Sequence, residues 1–99
     1  MSVQIEVDRE KIAEFCRKHH IQRLALFGSV LREDFRPDSD VDVLVDFEEG
    51  HSVGYITFAG IARELNGLLG RQVDLNTPGG LHKRFRAGVL REAEQLYAA

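Results

Sequence analysis

Two aspartates separated by one valine, Asp40-Val41-Asp42, open an apolar run that continues to Phe47. In an extended strand, residues i and i+2 share a face. Val41, Val43, Val45 and Phe47 therefore form a face that must be buried, and Asp40, Asp42, Leu44 and Asp46 form the other. The Cα atoms of Asp40 and Asp42 lie roughly 6.7 Å apart in such a strand. Two carboxylates about 5 Å apart repel by roughly 3 kcal/mol at an effective dielectric of 20, against a net stability of about 5–15 kcal/mol. Solvent relieves this on an open strand face, and protonation of one partner is a second route. A third is a bound Mg²⁺ whose shell is completed by substrate phosphates. Asp74, between Val73 and Leu75, reaches the same cleft if its strand lies beside the first, about 4.8 Å away. Three carboxylates suit a two-metal phosphoryl or nucleotidyl transfer, with Asp74 as base toward an incoming hydroxyl. Taken alone, Asp74 reads more simply as a strand-edge residue.

Gly28-Ser29 follows a short apolar strand, Leu24 to Phe27. A glycine at a strand-to-helix corner lets backbone approach a ligand with no Cβ in the way. A helix starting at Ser29, carrying Val30, Leu31 and Arg32, would offer free N–H groups to phosphate. The dipeptide by itself is a weak signal, because such pairs occur at turns everywhere.

These residues need elements to hold them. Asp8 is a good N-cap for a first helix, with Val7 and Ile12 spaced as a hydrophobic staple. Ile12, Phe15 and Cys16 fall on one of its faces, and His19-His20 ends it. Adjacent helical side chains diverge, so the histidine pair reads as surface rather than as ligands. A strand over Arg23 to Phe27 follows, then the corner, and then a loop over Asp34 to Ser39 containing Pro37. Strand two runs from Val41 to Phe47 and ends in the turn Glu48-Glu49-Gly50-His51.

The longest helix spans roughly Val53 to Leu69, with Ser52 as N-cap and Gly70 as its left-handed stop. Tyr55, Phe58, Ala62, Leu65 and Leu69 give it an apolar stripe. Gly60 in mid-helix suggests close packing on the sheet. Arg71 to Leu75 is a third strand, stopped by Asn76 to Gly80. Leu81 to Ala87 reads as a short helix interrupted by Gly88. The tail, VLREAEQLYAA, fits either a helix or an edge strand. The alternation predicts an α/β domain with a small mixed sheet and flanking helices, one unit over residues 1–99.

Composition bounds the function. The 99 residues are 43% hydrophobic and 29% charged, with a net charge of -3, as in ordinary globular proteins. A protein that holds polynucleotide through its phosphates usually carries a basic face, so no direct nucleic-acid binding is expected. One cysteine, Cys16, permits no internal disulfide and fits a reducing compartment. No run resembles a signal peptide or approaches the roughly 20 apolar residues of a membrane span. The expected location is cytoplasmic.

Gly28-Ser29, then ten residues, then Asp40-Val41-Asp42, and later Asp74 in a short strand resemble the signature of the polymerase β-type nucleotidyltransferase superfamily. GSVLREDFRPDSDVDVLVDF is similar to its minimal, MNT-type branch of MntA-like antitoxins. LLGRQVDLNTP resembles that branch's third-aspartate strand, and VLREAEQLY its tail. The resemblance implies the polymerase β-like fold and transfer of AMP from ATP, with two Mg²⁺ ions. It implies that Gly28, Ser29 and Arg32 bind the nucleotide and that Asp40, Asp42 and Asp74 hold metal and catalyse. Leu31 and Glu33 flank Arg32 where the branch usually has a small residue and glycine, which bears on Arg32 alone.

The implied partner is a HEPN-domain ribonuclease toxin in a hetero-oligomer, modified on a hydroxyl, most simply a tyrosine. One open sheet can cradle a triphosphate, so the acceptor is expected from a second molecule. Three alternatives remain: an antitoxin that neutralises the toxin by stoichiometric binding without catalysis, a transferase acting on a small molecule, and a soluble α/β domain whose Asp-Val-Asp is accidental.

Overall fold

The computed structural model describes residues 7–31, 40–51, 53–80 and 83–99. Helix α1 (Arg9–Lys18) starts where Asp8 accepts hydrogen bonds from the Glu10 and Lys11 amides, at 3.1 and 3.2 Å. These bonds satisfy two of the donors that a helix start leaves open. Strand β1 (Ile21–Phe27) runs into a four-residue 3-10 turn, Gly28–Leu31. Strand β2 (Val41–Phe47), helix α2 (Tyr55–Leu69) and strand β3 (Val73–Asn76) follow. A second 3-10 turn, Pro78–Gly80, leads to α3 (Lys83–Glu92) and strand β4 (Glu94–Ala98).

The four strands form one mixed sheet in the order β3-β2-β1-β4. β1 pairs antiparallel with both β2 and β4, whereas β2 and β3, joined through α2, are parallel. The expected α/β architecture with a small mixed sheet and flanking helices is therefore the one observed. Among the described residues no helix is long and apolar enough to cross a membrane.

One sheet face carries the core. Leu24, Leu26, Val41, Val43 and Val45 are fully buried with Ile12 and Cys16 of α1 and Ile61 and Leu65 of α2. Their register explains the sorting: Leu24 faces Val45 and Leu26 faces Val43 across the antiparallel ladder. An irregularity between Ile21 and Arg23 adds a residue to β1. Such a bulge reverses the alternation, so Ile21 and Leu24 can both be buried. Ala25 and Leu44, paired on the opposite face, are buried too but stand outside the main cluster.

Several local expectations change. β1 begins at Ile21 rather than Arg23, and β3 covers 73–76 rather than 71–75. α2 starts after Gly54, which supplies no side-chain cap; Ser52 lies outside the described residues. Its buried residues are Ile61, Leu65 and Leu69, with Phe58 half-buried, while Tyr55 is 93% exposed. The stripe starting at Tyr55 begins before the helix reaches the sheet, so the first turn overhangs it. Gly60 is not in close packing: a Cβ there would meet only Arg63 Nη2, at 3.8 Å. α3 continues through Gly88, and the tail divides between the two readings, Val89 and Leu90 in the helix and Leu96 and Tyr97 in the edge strand. Gly70 ends α2 at φ 66°, as its composition demands.

Candidate active site

Asp42 sits in a strand with neighbours on both sides. Across β1 its register partner is Phe27, and across β3 it is Asp74. Directly paired residues project to the same face of a sheet, so the Asp42 and Asp74 carboxylates share the face opposite the core. Adjacent strands are about 4.8 Å apart, which brings the two into a single cluster. Asp40 stands one residue before β2 and two before Asp42, on the side that alternation gives to Asp42. Asp40 and Asp74 are exposed and Asp42 is half-buried.

The register that matters for Asp74 is pinned by specific bonds. The Val41 amide donates to the Gln72 carbonyl at 2.9 Å, extending the parallel ladder past its first pair. The Asn66 side chain on α2 accepts from the Val73 amide at 2.7 Å, fixing where the chain re-enters the sheet. A slip of one residue would turn Asp74 to the core face. Val73, 6% exposed, holds the alternate position and prevents it.

The Gly28 corner completes the site. Its φ is +76°, and a Cβ built there would collide with Asp42 Oδ2 and lie 3.2 Å from Asp42 Cγ. The Asp42 carboxylate therefore rests directly against the backbone that leaves β1. Glycine is required twice over here, by the left-handed backbone and by the close approach. The helix expected from Ser29 is instead the short 3-10 turn 28–31, too short to carry a helix dipole of consequence. Any phosphate contact at this corner comes from local amides. The side chain of Ser29, and Arg32 altogether, lie outside the described residues.

Asp40, Asp42 and Asp74 offer oxygen donors only, the set preferred by Mg²⁺, but their carboxylate oxygens do not all meet within 4.8 Å; among the described residues the three ligands that do are His20, Glu48 and His51. β3 is the outermost strand of the sheet and carries Asp74, which places that exposed carboxylate at the sheet's edge. A groove of about 590 Å³ lies away from the aspartates. Its walls include Phe47, Val53, Tyr55 and Phe58, toward the opposite end of β2.

Cys16 and Glu64, both in the scaffold, depart from their usual range. Burial pushes the Cys16 thiol up to about 12, with the Arg17 charge opposing. Glu64 accepts from Lys18 Nζ at 3.1 Å and lies 3.1 Å from His19 Nε2. Burial raises its carboxyl, but the hydrogen bonds and charges of Lys18 and His19 outweigh this and hold it below the usual carboxylate range. This pair ties α1 to α2 over the core. A histidine–carboxylate cluster at the far end of the sheet, His20, Glu48 and His51, carried no spacing signal, since His20 is 28 residues before the turn that holds the other two.

A sequence profile described as the nucleotidyltransferase domain matches residues 9–96. Protein adenylyltransferase MntA of Thermococcus cleftensis is 38% identical over 79 residues, covering 80% of this chain and 78% of that one. A solved structure provisionally described as a minimal nucleotidyltransferase is 45% identical and superposes with a TM-score of 0.71, over 86% of this chain and 85% of its own. A Shewanella oneidensis complex of a tri-AMPylated HEPN toxin with an MNT antitoxin contains a chain of the same fold. Its TM-score is 0.66 at 22% identity, covering 92% of this chain and 70% of that one. With the match running from the first helix to the last strand, this chain belongs to the nucleotidyltransferase domain family.

Proposed function

We propose that this protein is an antitoxin-type protein adenylyltransferase, which moves AMP from ATP to a tyrosine hydroxyl of a partner HEPN ribonuclease toxin. The observation that carries the reading is the pairing of Asp42 with Asp74 beside Gly28, in a chain 38% identical to a protein adenylyltransferase. The AMPylated toxin bound to an MNT antitoxin of the same fold supports the choice of acceptor. The position of Asp74 on the outermost strand suits an acceptor delivered by a docked protein.

Asp40, Asp42 and Asp74 would hold Mg²⁺. When bound, that ion neutralises triphosphate charge and polarises the phosphoryl oxygens. The chain's own residues do the rest. Gly28, with no Cβ, lets the Asp42 carboxylate rest against the backbone that leaves β1, and the corner's amides, with Ser29 and Arg32 next in sequence, would meet the triphosphate. An Asp74 carboxylate oxygen takes the proton of the acceptor hydroxyl. The hydroxyl oxygen bonds to the α-phosphorus of ATP, the bond from that phosphorus to the bridging oxygen breaks, and pyrophosphate departs.

The test combines the full chain, a candidate HEPN partner, Mg²⁺ and ATP labelled at the α-phosphate. Label should appear on the partner and be lost with Asp42→Asn and with Asp74→Asn, while the complex still forms. Toxin inhibition that persists in both variants without any label would instead establish stoichiometric neutralisation. No label from the unsubstituted protein would refute the transferase reading.

A further inference from the structure

At the end of the sheet remote from the aspartates, three potential metal ligands meet that the transfer chemistry does not use. β1 and β2 are seven residues each, so this end is about 20 Å from the Asp42 end. His20 precedes β1, while Glu48 and His51 follow β2. One ligand atom from each of the three lies within 4.8 Å of the others. His20 Nδ1 is 3.7 Å from Glu48 Oε1. The His20 and His51 rings stack at 4.0 Å, 8° from parallel.

The backbone holds the three positions in place. The Glu48 amide donates to the His20 carbonyl at 2.8 Å, and the His51 amide donates to the Glu48 carbonyl at 3.0 Å. Gly50, at φ 84°, makes the turn that returns His51 toward Glu48. His20 is the one non-glycine residue among those described with positive φ, at 57°. Left-handed backbone is uncommon outside glycine, and histidine is among the residues that adopt it more readily. Here it falls just past the His19 C-cap of α1, with the imidazole beside Glu48 and His51 of the β2 turn. Nothing in the packing requires two rings there, since His20 and His51 are both exposed.

We propose that His20, Glu48 and His51 form a site for a divalent transition metal of the zinc class, which fastens the α1–β1 junction to the β2–α2 turn. Two imidazoles and a carboxylate match the ligand preference of Zn²⁺ and are a poor set for Mg²⁺. Zn–N and Zn–O bonds of roughly 2.0–2.2 Å place tetrahedral ligands about 3.3 Å apart. The His20–Glu48 separation is within half an ångström of that value. Because each ring nitrogen binds in its own ring plane, metal binding would turn the exposed His20 and His51 rings out of their stack. Three protein ligands leave the fourth position to water. The metal is a structural clamp, separate from the Mg²⁺ that the aspartates would take.

The test uses the full chain without an affinity tag, titrated with ZnCl₂ by calorimetry, with thermal unfolding followed in parallel. One Zn²⁺ should bind per chain, raise the unfolding temperature, and persist in the Asp42→Asn/Asp74→Asn variant. His20→Asn and His51→Asn should each weaken binding on the order of 100-fold, at or beyond the loss typical of residues that only support metal ligands. Asparagine tolerates left-handed backbone, so His20→Asn preserves the turn. Imidazole NMR of the unsubstituted protein gives a second readout: Zn²⁺ should shift His20 and His51 and leave His19 in place. Binding unchanged in both histidine variants, loss in the aspartate variant alone, or no saturation below millimolar Zn²⁺ would overturn the site. Each of those results leaves the adenylyl-transfer reading standing.

Discussion

Replacing Gly28 by alanine tests the heart of the site, because the added methyl has nowhere to go. Two costs combine. The left-handed backbone at φ +76° costs an L-residue about 1–2 kcal/mol. The new Cβ also collides with Asp42 Oδ2, and overpacking of this kind costs about 1–3 kcal/mol. Gly28→Ala should therefore destabilise by about 2–5 kcal/mol, read from urea denaturation. Gly70→Ala is the control: its φ is +66° and nothing lies within 4 Å of the Cβ position, so only the backbone cost of about 1–2 kcal/mol applies. A double-mutant cycle separates the terms. With Asp42→Ala already present, Gly28→Ala should cost no more than Gly70→Ala. Displacing the Asp42 carboxylate by about 1 Å should also lower AMP transfer on the order of 100-fold. If Gly28→Ala costs no more than Gly70→Ala in the unsubstituted background and retains transfer, then Asp42 does not rest against Gly28, and the proposed seat fails.

Two further expectations concern the scaffold. Asp74→Asn, on an exposed position, should lower transfer by roughly 10²–10⁴-fold as loss of a general base, with the unfolding temperature shifted by no more than about 4 °C. Cys16 should resist thiol reagents at pH 8 and react once the chain is unfolded. Its thiol is raised from 9.0 to about 12 by burial, so the neutral form favours the folded state. That contribution is whole below pH 9 and declines as pH rises toward 12, and the alkaline loss should shrink in Cys16→Ala. Glu64, held below the usual range by Lys18 and His19 against the opposing effect of burial, has the reverse sign. Its contribution is present above the ordinary carboxylate range and is lost as pH falls through the depressed value. Glu64→Gln should cost under about 1 kcal/mol at pH 7, since the pair is partly exposed, and flatten the acid limb of the stability curve.

What could be read locally was read correctly where a single short-range rule governed. Asp8 caps α1 because its side chain reaches amides two and three residues on. Gly70 stops α2 because the left-handed residue there is two-bond chemistry, independent of context. The alternation through 41–47 assigned its valines to the core because period-2 geometry leaves no other choice. Where packing decides, the local reading drifted. Tyr55 and Phe58 have the same apolar character as Ile61 and Leu65, but only the angle at which α2 meets the sheet determines which of them are covered. The tail satisfied helix and strand patterns because it contains both, and the open edge of β1 drew Glu94–Ala98 into the ladder.

The sequence by itself determined that Asp40 and Asp42 face one way from a strand with a hydrophobic reverse, and that Gly28 closes the strand before it. Tertiary structure alone decided that β3 lies parallel to β2, with Asp74 against Asp42, that the Asp42 carboxylate rests on Gly28, and that His20 stacks on His51. The physical reason is range. Alternation, capping and left-handed stops are fixed by atoms within a few residues of one another. Strand order and register are fixed by the burial of Val41, Val43 and Val45 beneath two helices and by hydrogen bonds such as Val41 to Gln72, whose partners are brought together only once the sheet exists.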